Sequence, residues 1–448
     1  MKLTVQIHLE HCWQDAATLM FDDPDSGVRG PCKLGYHQEH ALAWMFRDDH
    51  HACSLNLPVE LMYSHHSDHW FGFLEDIMPS GASRRYWVNQ LGLQRMSSAQ
   101  QDSVLLRHGT IAPVGNLRIR ESLPETRSDN LSKQRFTVSD VIERQVDFLE
   151  YAQQMGAASG GATGAGGEAP KLLIRRSSSD EVWIDTWQED NVLLDSPYLV
   201  KFPRGQRRTD DCDILRAEYH FYHELEALGL DTIDTGLMQL HEGERYPSLW
   251  LPRFDTELTE TGRIRHGLET ISSLLSAPAA AHLRHESTLR AVLHKMHQQH
   301  RVTGQDEPFN SQRFAIEWVK RDLLNIAFGN SDNHGRNTSI IKRPQGMWLA
   351  PIYDFAPMKA DPEGITRTMQ WGPPLEQGGE YDWPGIASAL NDLVPEEQLI
   401  NELQTLASQL TGLRDRLAER GVAQRLLDMP GVGLTSLDTR LQRWGLLP

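Results

Sequence analysis

The stretch Gly329-Asn330-Ser331-Asp332-Asn333-His334-Gly335-Arg336-Asn337 decides how the rest of the chain is read. It follows a run over 314–328 with apolar residues at helical spacing, so its glycine marks a helix end and its polar residues form a loop. Two short strand-like runs come next, 338–342 and 347–352, with Pro344-Gln345-Gly346 as the turn between them. This hairpin carries the chain out and back to Tyr353-Asp354-Phe355, which sets Asn337 and Asp354 at the same end. An amide oxygen and a carboxylate brought together there suit Mg²⁺, a hard cation that takes oxygen ligands and shares them with phosphates. Asp332, five residues before Asn337, is then placed to receive a hydroxyl proton.

Asp-x-x-x-x-Asn, a hairpin and then Asp-Phe is the order of the catalytic loop and metal motif of protein kinases. Taken alone, the same residues read more readily as a polar helix-end loop with local turns. The chain upstream supplies the other parts. Six of the twelve residues over 156–167 are glycine, a flexible loop whose backbone N–H groups suit phosphate. Lys171-Leu172-Leu173-Ile174 resumes as a strand, followed by Val182-Trp183-Ile184 and Tyr198-Leu199-Val200-Lys201-Phe202. Lys201, inside a strand, is positioned for the α- and β-phosphates, and Glu218, on a helix expected to open there and stop at Gly229, is its candidate ion-pair partner.

Around these parts the pattern predicts a helix over 138–154, a strand at Ser248-Leu249-Trp250-Leu251 and helices over 289–300, 314–328 and 397–427. A mixed, β-containing front half meets a helical back half.

With these motifs in hand the sequence resembles the HipA family of bacterial toxin-like serine/threonine kinases over nearly its whole length. Ser54 to Pro58 and Phe73 to Gly81 look like the family's N-terminal motifs, Glu168 to Ile174 like the end of its phosphate loop, and Leu199 to Pro203 like its lysine strand. Leu251-Pro252-Arg253-Phe254-Asp255 resembles the segment whose backbone holds adenine, and 329–339 with 349–354 the catalytic and metal motifs.

The resemblance implies an α+β, two-lobed protein-kinase-like fold: a β-containing N-terminal lobe with an extra N-terminal subdomain, and a helical C-terminal lobe. The expected boundaries are 1–135 for the subdomain, 136–255 for the small lobe and 256–448 for the large lobe. It also implies Asp332 as the catalytic aspartate and Asn337 and Asp354 as Mg²⁺ ligands. ATP contacts would come from Ala165, Gly166, Gly167, Glu168, Ala169, Pro170 and Lys171, from Lys201, from Pro252, Arg253 and Phe254, and from His334, Gly335, Arg336, Asn337, Tyr353 and Asp354. Family members often carry a serine in the phosphate loop whose autophosphorylation silences the kinase; Gly164 stands there, and Ser159, Thr163 and Ser177 to Ser179 read as ordinary loop hydroxyls.

Composition sets limits on partners. Over 448 residues, 44 Lys and Arg face 61 Asp and Glu for a net charge of -17, which excludes a broad electrostatic hold on nucleic acid. No apolar run approaches the ~20 residues of a membrane span. The N-terminal Met1 to Leu9 alternates like a strand and lacks a signal peptide's apolar core, so a cytoplasmic location is expected. Cys12, Cys32, Cys53 and Cys212 form no CxxC pair and read as reduced thiols. The histidines before residue 70 lack metal-ligand spacing with a supporting acid, and the one candidate set, His294, His297 and His300, has steps of three that drift around a helix face. The basic run Arg204 to Arg208 is followed by Asp210, Asp211 and Asp213, which cancel its field.

The reading is a kinase acting on a protein substrate, a translation component such as an aminoacyl-tRNA synthetase, as the toxin of a type II toxin-antitoxin system. Its partner would be a small DNA-binding antitoxin, with DNA reached only through that partner. The rivals are a catalytically vestigial corepressor of the same fold and a small-molecule phosphotransferase.

Overall fold

The computed structural model describes residues 1–124, 133–155, 169–188, 195–278, 281–303 and 309–448, excluding the side chains of 153, 154 and 298–303. The chain packs as two compact units, each built from separated pieces of sequence.

The first unit comprises Met1–Gly205, Gly236–Ala277 and Ser339–Ala350. Its N-terminal strand, Lys2–Leu9, sits inside a five-stranded antiparallel sheet, between Cys12–Phe21 and Leu117–Ile119. Leu3, Val5 and Ile7 are fully buried against Leu19, Leu34, Phe73 and Leu105. The intervening Thr4, Gln6 and His8 are buried too. Gln6 is accommodated by specific partners: its amide donates to Asp15 at 2.7 Å and accepts from Arg118 at 2.8 Å.

A second antiparallel sheet has six strands in the order Gln239–Glu242, Pro247–Pro252, Ser196–Lys201, Lys171–Arg176, Glu181–Trp183, Phe136–Thr137. One face, with Leu172, Ile174, Val200 and Trp250, is covered by Val141, Phe148 and Tyr151. The alternation that buries those residues turns Lys171, Leu173 and Arg175 to the other face. The helix expected over 138–154 is two helices, Val138–Ile142 and Val146–Gln154. Arg144, at φ +52°, breaks it, since a left-handed residue cannot continue a right-handed helix.

The hairpin after the polar loop is Ser339–Arg343 and Gly346–Leu349, and its first strand pairs with Gly267–Thr270. Both strands therefore belong to the first unit. Buried polar bonds tie the N-terminal motifs to this part of the unit. Asp76 accepts from the Thr270 N–H at 3.0 Å and its hydroxyl at 2.7 Å, and Glu269 accepts from the Leu55 N–H at 2.9 Å and from the Ser54 hydroxyl.

The second unit, Gln206–Thr235, Pro278–Thr338 and Pro351–Pro448, is mainly helical. Its central helix, Ser311–Ala327, is capped by Asn310, whose side chain accepts from the Arg313 N–H at 2.9 Å. It buries Phe314, Val319, Leu323 and Leu324 completely. The helix expected to open at Glu218 starts earlier, Thr209–Ala227. Asp211 accepts from the Arg208 N–H at 2.8 Å, while Asp210 and Asp213 pair with Arg425, so these acids do more than offset the local arginines. The tail is three helices, Glu396–Leu410, Leu413–Arg420 and Gln424–Leu427. Gly412 and Gly421, both left-handed, divide it. No described helix is long and apolar enough to cross a membrane, and all four cysteines are unbridged.

Candidate active site

The central helix of the second unit ends at Phe328, and the chain reverses through Gly329 at φ +68°. A Cβ at Gly329 would lie 2.8 Å from the Val432 side chain and 3.0 Å from its carbonyl, so the position is closed to any side chain. Beyond it the loop is held by its own polar groups. Asn330 donates to the Asn325 side chain at 2.9 Å and accepts from the Asp332 N–H at 3.1 Å. Asn337 donates its side-chain amide to the Asp332 carbonyl at 2.7 Å, and its own N–H to the His334 carbonyl at 2.9 Å. The Tyr353 hydroxyl donates to the Arg336 carbonyl at 2.7 Å.

The backbone of Asp332 is thus fixed through both its N–H and its carbonyl, while its side chain remains 25% exposed. His334 Nε2 lies 3.4 Å from the carboxylate. Because His334 Nδ1 accepts the Arg336 N–H at 3.2 Å, the ring proton belongs on Nε2, facing Asp332. Asn337, having committed its NH₂ to the Asp332 carbonyl, presents Oδ1 as an acceptor.

Asp332, Asn337, Asn330 and Asn333 line one pocket with Tyr353 and Phe355. Asp354 follows Tyr353 at φ +52°, a conformation that costs a non-glycine residue about 1–2 kcal/mol and recurs where geometry is functional. Behind it the buried Tyr222 donates to Glu218 at 2.8 Å and accepts from the Phe355 N–H at 3.4 Å. Burial, then the nearby Glu218 and Asp354 carboxylates, hold the Tyr222 phenol well above its usual range, so it stays a donor.

The structure therefore brings together Asp332, His334, Gly335, Arg336, Asn337 and Tyr353 in one loop and pocket of the second unit, with Asp354 next in the chain. The first unit holds the other expected residues. Lys171 and Lys201 stand directly opposite each other on neighbouring strands, both buried. Ala169 and Pro170 lead into the strand of Lys171. Pro252 ends its strand, and the Arg253 N–H donates to the Pro197 carbonyl at 3.1 Å. The Arg253 guanidinium donates through Nε and Nη2 to the two oxygens of Asp255. Lys201 and Glu218 belong to different units. Ala165, Gly166, Gly167 and Glu168, with Ser159, Thr163 and Gly164, lie outside the described residues. Ser177 and Ser179 bond each other in a tight turn, as ordinary loop hydroxyls do.

One cluster has no signature in sequence spacing. Asp49, His50 and His51 bring three potential ligand atoms within 4.8 Å of one another. Asp49 accepts from His51 at 2.7 Å and pairs with Arg47 at 2.8 Å through its other oxygen. The carboxylate is thus engaged on one oxygen by an imidazole and on the other by a guanidinium.

A family model, the HipA-like C-terminal domain, matches residues 163–412. The chain belongs to the HipA-like family. No curated protein matches it. HipA of Shewanella oneidensis MR-1, solved in a toxin-antitoxin complex with HipB and operator DNA, is 16% identical with a TM-score of 0.61, covering 99% of this chain and 97% of that one. The Helicobacter pylori proinflammatory kinase CtkA is 13% identical with a TM-score of 0.38, covering 62% of this chain and 89% of its own. The HipA-like chain has the expected two-lobed, kinase-like α+β fold.

Proposed function

We propose that this HipA-like chain is an ATP- and Mg²⁺-dependent serine/threonine protein kinase and the toxin of a type II toxin-antitoxin system. The observation that carries the reading is the loop of the second unit, where Asp332 keeps a partly exposed carboxylate on a backbone held at both its N–H and its carbonyl, the latter by the side-chain amide of Asn337. An immobile acceptor next to oxygen ligands is what phosphoryl transfer asks of a protein, because that chemistry depends on positioning and charge neutralisation.

In the reaction a substrate serine or threonine oxygen bonds to the γ-phosphorus of ATP as the bond to the β–γ bridging oxygen breaks, and ADP leaves. Asp332 takes the hydroxyl proton; His334 Nε2–H, facing that carboxylate, orients it. Asn337 and Asp354 would hold Mg²⁺, which when bound neutralises phosphate charge. By the resemblance, the backbone of 165–171 and the Lys171 and Lys201 ammonium groups are assigned to phosphate, the backbone of Pro252 to Phe254 to adenine, and Gly335, Arg336 and Tyr353 to the nucleotide.

The proposed segments are 1–135, 136–255 and 256–448, and the two compact units cut across the last two, 206–235 packing with the second unit and 256–277 and 339–350 with the first. By family likeness the substrate is a translation component such as an aminoacyl-tRNA synthetase. The Shewanella HipA complex with HipB and operator DNA supports a small DNA-binding antitoxin as partner, and a chain of net charge -17 would meet DNA through it. The reading places the protein in the cytoplasm. Incubation of cell extract with γ-labelled ATP tests it: wild-type protein labels at least one protein and Asp332→Ala labels none. Equal labelling by both, or none by either, defeats it.

A further inference from the structure

Asp332 is flanked by Asn333, a buried residue whose side chain does not face the loop's own backbone. Its amide donates to the Met369 carbonyl at 2.7 Å and accepts from the Thr368 and Met369 N–H groups at 3.2 and 3.4 Å. Both ends of one side chain thus grip a short strand, Met369–Gln370, which also pairs in parallel with Leu283–Arg284.

That strand is itself bolted down. Just before it, buried Arg367 bonds Asp322 at 2.9 and 3.2 Å through Nη2 and Glu376 at 3.1 Å through Nε. Just after it, Trp371 donates its indole N–H to Asp322 at 2.9 Å and its backbone N–H to Glu376 at 2.8 Å. His285 Nε2 lies 3.1 Å from the same Asp322 carboxylate, and Trp318 donates to His285 Nδ1 at 3.1 Å, which assigns the proton to Nε2. Asp322 therefore gathers donors from Arg367 and Trp371, with the His285 ring beside it, while only 1% exposed.

Asp322 stands on the helix Ser311–Ala327, which delivers the chain to Gly329 and the loop. The connections close a ring: helix, Asp322, Arg367 and Trp371, strand, Asn333, Asp332. The loop is anchored covalently to the helix at one side and through Asn333 to a strand fixed on that same helix at the other. We propose that Asn333 is a positioning residue for Asp332 and that Asp322 is the buried anchor through which it acts.

This rests on the kinase reading, and its consequence follows from that chemistry. A displacement of about 1 Å at a reacting group costs about 100-fold in rate. Asn333→Ala removes the grip without touching the carboxylate, so kcat falls by about 100-fold while KM for ATP stays within about twofold.

The test uses the full chain and the protein acceptor found with labelled extract. The rate of Asp332-dependent transfer is measured against ATP concentration for wild type, Asn333→Ala and Asp322→Asn, alongside amide hydrogen exchange by mass spectrometry. The expected result is the kcat-specific loss in both variants, with faster exchange confined to peptides from 329–338 and 367–371. Three results overturn the proposal: kcat within about threefold of wild type, unchanged exchange over 329–338, or loosening spread equally through the chain, which would make Asn333 an ordinary packing residue. Absence of Asp332-dependent transfer in the wild type removes the kinase reading and the proposal with it, an outcome separated from the others because it is read before any Asn333 variant is compared.

Discussion

Replacing Glu269 with alanine should destabilise the protein more than most single substitutions. Glu269 and Lys342 are each 1% exposed, with Lys342 Nζ 3.3 Å from the carboxylate. The same carboxylate accepts from the Leu55 N–H at 2.9 Å, the Ser273 hydroxyl at 3.3 Å and the Ser54 hydroxyl. Removing it leaves a buried ammonium without its charge partner, which costs about 3–5 kcal/mol. Substituting both partners, Glu269→Leu with Lys342→Met, removes the charge problem and leaves mainly the orphaned Ser54 and Leu55 donors, at about 1–3 kcal/mol. The single variant should therefore be less stable than the double by about 2 kcal/mol, an inversion that contact counting does not produce. The assay is urea unfolding of the full chain followed by tryptophan fluorescence, with midpoints of wild type, both singles and the double compared at one pH. A Glu269→Ala loss below about 1 kcal/mol, or a double variant at least as unstable as Glu269→Ala, refutes the reasoning.

Two further outcomes follow from single positions. Burial, His51 and the Arg47 and Lys342 cations, against the opposing Asp49, push His50 from near 6.5 down to about 4. Between those values the unfolded chain binds a proton that the folded one refuses, so stability falls as pH drops through that window, by about 3 kcal/mol in all; His50→Gln should flatten this share in unfolding midpoints at pH 4.5 and 7, and an unchanged pH difference counts against it. Gly329→Ala meets both a left-handed φ and the Val432 backbone, whereas Gly364→Ala at φ +71° has nothing within 4 Å. The first should cost at least about 2 kcal/mol and the second about 1, and equal melting temperatures for the two would contradict the steric argument.

The parts of the site legible in the sequence are those whose partners are near in the chain. Asn337 bonds Asp332, Arg336 bonds His334, and the hairpin turn is fixed by pairing of Arg343 with Gly346. Residue type and spacing suffice for such contacts. Asn333 sat in the same stretch with no assigned role, because its partner, Met369, is 36 residues away and is met through backbone atoms that any residue supplies. Glu269 was equally silent: Ser54 and Lys342 lie 215 and 73 residues from it, and only the folded unit shows that the N-terminal motif serves as a set of donors for a buried carboxylate. Helix limits failed for a local reason instead. Arg144 at φ +52° interrupts an unbroken apolar period, and no side-chain pattern announces a left-handed arginine.

The placement of buried cations bears on the acidic balance of the chain. Arg175 pairs with Asp185 at 2.7 Å, Arg253 with Asp255, Arg367 with Asp322 and Glu376, and Lys342 with Glu269. In these pairs four cations meet five carboxylates, so interior charge is nearly balanced, and they account for fold rather than chemistry. Lys171 and Lys201 differ in one respect that register alone decides: they are direct cross-strand partners, so two ammonium groups share one face of one sheet. Like charges so opposed destabilise a sheet. Each of the two also has partners within the fold, so register does not by itself call for a ligand; what it supplies is a pair of cations on one face, where the proposed phosphate contacts of Lys171 and Lys201 would fall together.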